Sequence, residues 1–397
     1  MPVPCDCPPV SQPPVPGPVP VPTPVPETPK PAPPPVTTEP VAQYSQLQPA
    51  GWDALPGFEQ GDLGQVWSAW LQSCSTLIKQ PQWQQVCSIA TQLDAPDGRA
   101  IAAYFRQHFA VYQATNADGS DSGMVTGYYQ PLLRGSRTPT AKYRYPLYSQ
   151  PGDLISVELA ELYPELAHKR IRGRLVGQKL VPYYSRGEIE TQPSPLQGQE
   201  LLWVDDIIDL FFLQIQGSGI IVLESGERIQ VGYADHNGYG YRSIGRELVD
   251  RGELTLDEAS MQGIKRWARS HPAQLRELLN TNPGYVFFRE LPAGLPGPLG
   301  ALGVPLTAER SIAVDPRHIP LGAPVFLDTT YPNSRTPLQR LVVAQDTGGA
   351  IKGGVRADFY WGAGDTAGQR AGAMKQTGRM WVLLPRGFLP TDPVDVK

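Results

Sequence analysis

Apolar positions recur every three or four residues in the first part of the folded chain. Between about residues 62 and 113, runs such as VWSAWLQSCSTLI and RAIAAYFRQHFAVYQA place apolar side chains on one helical face. A strand-and-turn signature follows over residues 123–147, in GMVTGYYQPLL and YRYPLY. The pattern predicts helices packed around a sheet or a barrel.

The middle of the chain, to about residue 289, is mixed. Two capping-box patterns, Ser185 to Glu188 and Thr255 to Glu258, indicate helix starts. The apolar segment FFLQIQGSGIIVL is bounded by turn residues. It predicts two buried strands interrupted at residues 217–219.

Short apolar runs separated by glycine and proline fill residues 302–385. They are SIAVD, APVFLD, RLVVAQD and RMWVLL. Short, evenly spaced strands are typical of a small barrel rather than a doubly wound sheet. One helix is predicted among them, capped by Asp365 and ending by Gly378.

The first 43 residues have a different composition. Eighteen of the 44 prolines lie in the first 40 residues, and proline removes a backbone donor and fixes φ. We therefore expect a disordered polyproline spacer, with the globular part beginning near Tyr44. The opening MPVPCDCPPV lacks the basic start and apolar core of a signal peptide, and no run of 18 apolar residues occurs.

Charge and composition narrow the ligand class. The net charge is −4 and no basic stripe is present, so nucleic acid is not expected as a partner. A neutral polar ligand such as a sugar suits this chain better. The five histidines are scattered, and neither a metal-binding motif nor a GxSxG serine motif occurs. We expect no metal and no cofactor.

Two cysteines fall in the predicted helical part. Cys74 and Cys87 lie in segments that read as two helices joined around Pro81, so their side chains could face each other. A disulfide would suit an oxidising compartment, and two buried thiols would suit a reducing one. The sequence leaves both possibilities open.

Three aspartates follow or border the predicted barrel strands, namely Asp315, Asp346 and Asp358. A single loop aspartate is ordinarily a turn residue, so the concentration is the signal. Asp346 and Asp358 flank a glycine-rich loop, and Phe359, Tyr360 and Trp361 follow it. Aromatic rings stack on sugars, and apolar surroundings raise the pKa of a carboxyl towards that of a general acid.

Two other interpretations of this segment each lack a motif that they require. LVVAQDTGG matches the strand-then-DTG pattern of aspartic proteases, but that chemistry needs a second such aspartate and the chain has one DTG. GGAIKGG lacks the GK[ST] ending of a phosphate-binding loop.

Ordered motifs over residues 127–385 resemble the family of membrane-bound lytic murein transglycosylase A. Those of its main domain are GYYQP, YPLY, FFLQIQGSG, GYADHNGYGYRSIGREL and NPGYVFF. The segments AVDPRHIPLG, AQDTGGAIKG and RADFYWG resemble its three-aspartate domain. Each motif alone is weak, but the ordered set is specific.

The resemblance implies a mainly β fold with flanking helices. A double-psi β-barrel would form from residues 44–130 and a three-aspartate segment at 301–390. A mostly β domain at 131–300 would be inserted between them, after the spacer at 1–43. The glycan groove would lie where the two domains meet.

The resemblance also implies exolytic cleavage between N-acetylmuramic acid and N-acetylglucosamine, with a 1,6-anhydromuramic end. Matching RADFYWG to the family's motif makes Asp358 the general acid and then the base. Asp346 would orient the site or stabilise positive charge, and Asp315 would be structural. We predict these groove-lining residues: Tyr128, Tyr129, Gln130, Gln214, Gln216, Ser218, Asp235 and Trp361.

The implied partner is the peptidoglycan glycan strand, bound by a monomer in the periplasm at the outer membrane. The family begins with a signal peptide and a lipid-modified cysteine, whereas here Pro4 precedes Cys5. We therefore expect the true start, and a lipid tether, to lie upstream. Two alternatives stay open: a hydrolytic β-glycanase that inverts configuration with two aspartates, and an inert peptidoglycan-binding protein.

Overall fold

A computed structural model describes residues 44–163, 166, 169, 171–388 and 390. The predicted polyproline spacer, with Cys5 and the tether, lies outside these residues. Within the described part, no helix is long and apolar enough to cross a membrane.

The described residues form short strands and mostly short helices. The strands are β1 (Leu47–Ala50), β2 (Phe109–Ala114), β3 (Gly123–Gln130), β4 (Leu132–Ser136), β5 (Tyr145–Tyr148), β6 (Ile155–Val157), β7 (Ile171–Val176), β8 (Lys179–Pro182), β9 (Glu200–Val204), β10 (Ser218–Leu223), β11 (Arg228–His236), β12 (Val286–Glu290), β13 (Ser311–Val314), β14 (Pro324–Thr330), β15 (Pro337–Thr347), β16 (Ala357–Ala363) and β17 (Lys375–Pro385). The helices are α1 (Leu63–Leu77), α2 (Pro81–Gln92), α3 (Gly98–His108), α4 (Arg186–Ile189), α5 (Ile207–Gln216), α6 (Ile244–Asp250), α7 (Met261–Ser270), α8 (Leu275–Asn280) and α9 (Asp365–Ala373), with short 3₁₀ turns at Trp52–Ala54 and Phe58–Gln60.

Six strands close into a barrel in the order β17–β14–β15–β13–β16–β3, with β3 pairing back onto β17. The β13–β15 and β16–β3 pairs are parallel, and the other pairs are antiparallel. Strands β2 and β1 continue the sheet beyond β17. The short apolar runs near the C-terminus thus form a barrel, as predicted, because each is buried on a closed sheet.

Helices α1 to α3 pack against the barrel and share its core. Cys74 and Cys87 form a disulfide between α1 and α2, with Cα atoms 5.1 Å apart. Gln345 of β15 is fully buried and donates to the Ala69 carbonyl at 2.8 Å and to Ser73 Oγ at 3.0 Å. These bonds join α1 to the barrel.

Two helical regions were predicted to be longer than they are, one in the N-terminal part of the barrel domain and one in its C-terminal part. The helical region stops at His108, and FAVYQA forms β2 because it pairs with β17. Helix α9 ends at Ala373, and the following residues begin β17. Asp365 is the first residue of α9 and makes no capping hydrogen bond, and Gly364 takes the N-cap position instead. In both regions sheet pairing overrides the local pattern.

Between β3 and β13 the chain forms two further sheets. A six-stranded sheet has the order β12–β11–β10–β4–β9–β5, and a three-stranded sheet has the order β6–β7–β8. The structure is thus mainly β with a six-stranded barrel, and the double-psi crossover stays a prediction.

The segment FFLQIQGSGIIVL is a helix and a strand, not two strands. Asp206 caps α5 by accepting from the Ile208 N–H at 2.8 Å, and Gly217 ends it with φ +75°. The helix is buried nearly all round, so its apolar run shows no clear helical period. The Ser185 capping box is confirmed, whereas Thr255 and Glu258 form a turn and α7 begins after Ser260.

Candidate active site

Strand register brings two of the three aspartates to one region of the barrel. Asp346 of β15 and Asp358 of β16 are both aligned with Ala313 of β13, which lies between them. Neighbouring strands are about 4.8 Å apart, so the two aspartate Cα atoms are about 10 Å apart. The charge of Asp358 also raises the pKa of Asp346. The two carboxyls therefore belong to one site.

A small apolar cluster forms the floor of this site. Its buried members are Tyr128, Leu306, Ala313, Ile351 and Tyr360. The Tyr128 and Tyr360 rings lie 5.2 Å apart. Alternation along β16 places Asp358 and Tyr360 on the same face, so the carboxyl stands beside an aromatic pair.

Asp358 is half-buried and has one hydrogen-bond donor from another strand. Its Oδ1 accepts from Thr126 Oγ1 at 2.8 Å, because β3 runs parallel to β16 with Thr126 directly opposite. Burial raises the pKa of Asp358, while the Thr126 hydroxyl and the Arg356 charge oppose the rise. A carboxyl in this environment can hold and release a proton.

Asp346 has both carboxylate oxygens engaged. Oδ1 accepts from the Ala301 and Thr347 N–H groups, each at 2.9 Å, and Oδ2 accepts from the Tyr128 hydroxyl at 3.1 Å. Burial raises the pKa of Asp346 to about 6, although all three donors favour the charged form. Burial and hydrogen bonding therefore act in opposite directions on the Asp346 carboxyl.

Asp315 follows β13 and is fully buried. Its carboxylate accepts from the Arg317 side chain at 3.0 and 2.6 Å and from the Gly353 N–H at 3.0 Å. Burial alone would raise the pKa of Asp315, but these donors outweigh it and lower the value to about 2. Asp315 thus ties the loop between Asp346 and Asp358 to the barrel.

Two predicted groove residues point away from the carboxyls. Trp361 is 4% exposed and lies in the barrel core, with Nε1 donating to Met374 Sδ at 3.3 Å. Strand alternation puts Trp361 on the face opposite Asp358, which the sequence interpretation overlooked. Tyr129 is also in the core, and its hydroxyl donates to Met261 Sδ at 3.4 Å.

The other predicted groove residues lie in and beside the inserted sheet. Gln216 Oε1 accepts from the Tyr129 N–H at 3.0 Å and lines a cavity of about 190 Å³ between β3, α9 and the insert. Gln130 is buried and donates to the Gly219 carbonyl at 3.5 Å. Ser218 is buried at the start of β10. Alternation along β3 places Gln130 on the same face as Thr126 and Tyr128, and contact of Gln130, Gln216 and Ser218 with a glycan stays a prediction.

Two predicted residues have internal partners. Gln214 is buried and accepts a hydrogen bond from Arg186. Asp235 is buried and forms an ion pair with Arg172, whose Nε–H is shared between the two carboxylate oxygens at 2.9 and 3.0 Å; the pair joins β11 to the three-stranded sheet. Both arrangements satisfy buried polar groups, and their contact with a glycan stays a prediction.

The sequence interpretation missed Thr126 and Arg356. Each stands two residues before a predicted site residue, Tyr128 and Asp358, so period-2 alternation places it on the same face. That spacing was a usable signal. No group of three His, Cys, Asp or Glu side chains that could hold a metal ion occurs among the described residues.

Comparisons with known proteins agree with this architecture. Residues 124–289 match the family model described as the MltA specific insert domain, and residues 310–384 match the 3D domain. Membrane-bound lytic murein transglycosylase A of Escherichia coli is 35% identical over 280 residues, which is 68% of this chain and 68% of that protein.

Comparison with solved structures supports the same family. MltA from Neisseria gonorrhoeae is 39% identical with a TM-score of 0.77, covering 86% of this chain and 93% of that one. E. coli MltA with bound chitohexaose is 28% identical with a TM-score of 0.61, covering 88% and 95%. The identity, the extent of the match and the shared structure show that this chain belongs to the membrane-bound lytic murein transglycosylase A family.

Proposed function

We propose that this protein is a lytic transglycosylase that cleaves peptidoglycan glycan strands between N-acetylmuramic acid and N-acetylglucosamine, exolytically, leaving 1,6-anhydro ends. Family membership supports the reaction class. The observation that carries the mechanism is Asp358, a half-buried carboxyl of raised pKa beside the Tyr128 and Tyr360 rings. Asp358 is the proposed catalytic acid and base.

One carboxyl suffices for this reaction. Asp358 donates its proton to the glycosidic oxygen, the C1–O bond breaks, and the bonding electrons leave with that oxygen. The C6 hydroxyl of the same muramic residue then attacks C1, and the Asp358 carboxylate takes the hydroxyl proton. The group ends protonated, as it began, and no water is consumed. Attack from within the substrate also has the entropic advantage of an intramolecular reaction.

The acid step requires a protonated Asp358. In the free protein, Thr126 and Arg356 favour the ionised form and burial favours the neutral form. A glycan lying over the carboxyl would exclude water and increase its burial. Substrate binding should therefore raise the pKa of Asp358 further, so that Asp358 is protonated before the acid step.

Asp346 is proposed to assist by charge. Both of its oxygens are held by three donors, so it has little freedom to activate a water molecule or to form a bond with the sugar. Its negative charge would favour the proton on Asp358 and stabilise positive charge that develops on the sugar ring.

The remaining parts of the proposal concern the groove and the location. The E. coli relative was solved with bound chitohexaose, and we place the glycan of this protein along the face of Asp346 and Asp358. A double-psi barrel, a monomeric state and a periplasmic position at the outer membrane complete the proposal, in line with membrane-bound relatives.

Product analysis separates this proposal from the two alternatives. The purified protein is incubated with sacculi and the products are analysed by mass spectrometry. Anhydromuramic ends support the transglycosylase. Reducing ends would instead show a hydrolase, and the absence of products would show an inert binding protein.

Replacement of Asp358 tests the mechanism. Asp358→Asn keeps the shape of a protonated carboxyl but cannot exchange the proton, so release of anhydromuropeptides should fall by at least about 10² to 10⁴. Asp346→Asn should cost less, because an amide dipole replaces part of its effect.

Asp365→Asn is the matched control. It makes the same chemical change at an exposed position in the first turn of α9 and should leave the rate unchanged. Folding of each variant is checked by circular dichroism. A folded Asp358→Asn protein with near wild-type activity would refute the mechanism.

A further inference from the structure

A short chain of hydrogen bonds ends at Asp358. Its other members are Arg356 and Thr126, which lie outside the sequence pattern of Asp346 and Asp358. Arg356 Nη2 donates to Thr126 Oγ1 at 2.8 Å, and Thr126 Oγ1 donates to Asp358 Oδ1 at 2.8 Å. Arg356 Nη1 also donates to the carbonyl of Ala357, so the guanidinium is held at two points. All three side chains are half-buried at the junction of β3 and β16.

The direction of this chain follows from donor chemistry. Arginine has donors but no acceptor, and a threonine hydroxyl has a single proton. Because Arg356 occupies a lone pair of Thr126 Oγ1, the hydroxyl proton is directed towards Asp358. Without that guanidinium the hydroxyl could rotate and become an acceptor.

We infer that Arg356 and Thr126 are positioning residues that direct the Thr126 proton onto Oδ1 of Asp358, leaving Oδ2 as the oxygen that carries the catalytic proton. The inference rests on the proposed role of Asp358. It adds a reason for the reactivity of one particular oxygen, because a carboxyl whose proton sits on a fixed oxygen meets the glycosidic oxygen in one geometry.

Other charged and titratable groups around Asp358 do not replace this arrangement. Tyr128 on β3 donates its hydroxyl to Asp346, and Asp346 on β15 is itself fully engaged. Tyr360 follows on the same strand. Lys375 of β17 is paired with Thr126 at the other edge of β3 and is exposed. Of these, Thr126 is the group with a hydrogen bond to Asp358 in the described structure.

A double-mutant cycle tests the coupling. Thr126→Val and Arg356→Gln are made singly and together. The maximal rate of anhydromuropeptide release is measured at the pH optimum of each variant, so that a shift in the pKa of Asp358 does not enter the comparison. Each single variant should lose about tenfold, since a hydrogen bond to a charged group is worth roughly that much or more. The double variant should be little slower than Thr126→Val, because Arg356 acts through Thr126. Losses that multiply would overturn the inference.

Conservative variants and matched controls distinguish the loss of one hydrogen bond from misfolding. Thr126→Ser keeps the hydroxyl and should stay within about threefold of the wild type. Thr329→Val removes a hydroxyl that donates to the Thr377 carbonyl, and Arg379→Gln removes an arginine paired with Asp328. Both should retain full activity. A Thr126→Ser protein as slow as Thr126→Val would contradict the inference.

A proton titration gives a readout that does not depend on activity. In the full-length protein labelled at aspartate carboxyl carbons, the Asp358 signal is identified by its loss in Asp358→Asn. Thr126→Val should increase the proton affinity of Asp358 about tenfold, which moves its titration up by about one pH unit. An unmoved titration would refute the positioning role. If Asp358→Asn is fully active, the proposed function fails, whereas the titration still reports on Thr126.

Discussion

At the scale of residues, three aspartates from one sequence pattern have three different environments. Asp315 is buried among donors and has a lowered pKa, Asp346 is half-buried with both oxygens occupied, and Asp358 is half-buried with one donor on one oxygen. Sequence spacing could not separate the roles of Asp346 and Asp358, because their side-chain donors Tyr128 and Thr126 lie more than 200 residues away in the sequence. These environments suit Asp315 to anchoring a loop, Asp346 to stabilising charge and Asp358 to carrying a proton.

Replacement of Asp315 should destabilise the fold in a pH-dependent way. Its pKa is lower in the folded protein, about 2 against an ordinary 3.8. The stabilisation is therefore present above about pH 4 and is lost as the pH falls towards 2. Asp315→Asn should lower the free energy of unfolding by about 2 kcal/mol at neutral pH and by clearly less near pH 3. Urea unfolding at both pH values measures this, and an equal loss at both would contradict it.

The pH dependence of the rate should show that substrate raises the pKa of Asp358. The alkaline limb of kcat/KM reports the free enzyme, and that of kcat reports the complex. Because bound glycan excludes water from the carboxyl, the limb of kcat should lie at the higher pH. Initial rates across the pH range on soluble glycan fragments measure both. Coincident limbs would remove the proposed role of substrate burial.

At the scale of elements, strand alternation decides which motif residues face the site. In RADFYWG, Asp358 and Tyr360 lie on the face of the Tyr128 cluster, while Phe359 and Trp361 enter the barrel core. Close packing on the core face also requires glycine at position 127 of β3, because a Cβ on Gly127 would lie 2.7 Å from Trp361 Nε1. The aromatic run is therefore half site and half core.

The link between α1 and α2 should contribute measurably to stability. The Cys74–Cys87 disulfide spans a sequence separation of 13, and both residues are buried. On the chain-entropy model such a loop is worth about 3 kcal/mol. The double variant Cys74→Ala with Cys87→Ala should lose about that amount in urea unfolding under oxidising conditions. Reducing agent should narrow the difference in unfolding free energy. The chain also contains Cys5 and Cys7, so the thiols are located by alkylation and peptide mapping of the oxidised, denatured wild type, and free thiols at Cys74 and Cys87 would refute the bridge.

At the scale of the whole molecule, the site depends on segments far apart in the chain. Thr126 and Asp358 are 232 residues apart in sequence, and the inserted sheets lie between them. The insert is held to the barrel through β3, where Tyr129 bonds to Gln216 and to Met261.

Catalysis should not require a metal ion. The described residues contain no group of three side chains that could hold one, and the proposed proton transfers need only Asp358. Treatment with EDTA should leave the rate of anhydromuropeptide release within about twofold. Loss of activity that zinc or calcium restores would show that a metal participates.

The sequence by itself determined the local features and the family. Helical periodicity predicted α1 and α3, the cysteine segments predicted two helices whose cysteines could face each other, and ordered motifs identified the family. Asp358 as the catalytic acid stays a prediction from those motifs. Tertiary structure decided the rest. The helix α5 was hidden because it is buried nearly all round, and β2 was misread because its pairing partner β17 is more than 250 residues away. The bond from Arg356 through Thr126 to Asp358 exists only because a parallel register aligns β3 with β16, and a register between distant strands leaves no local pattern in the sequence.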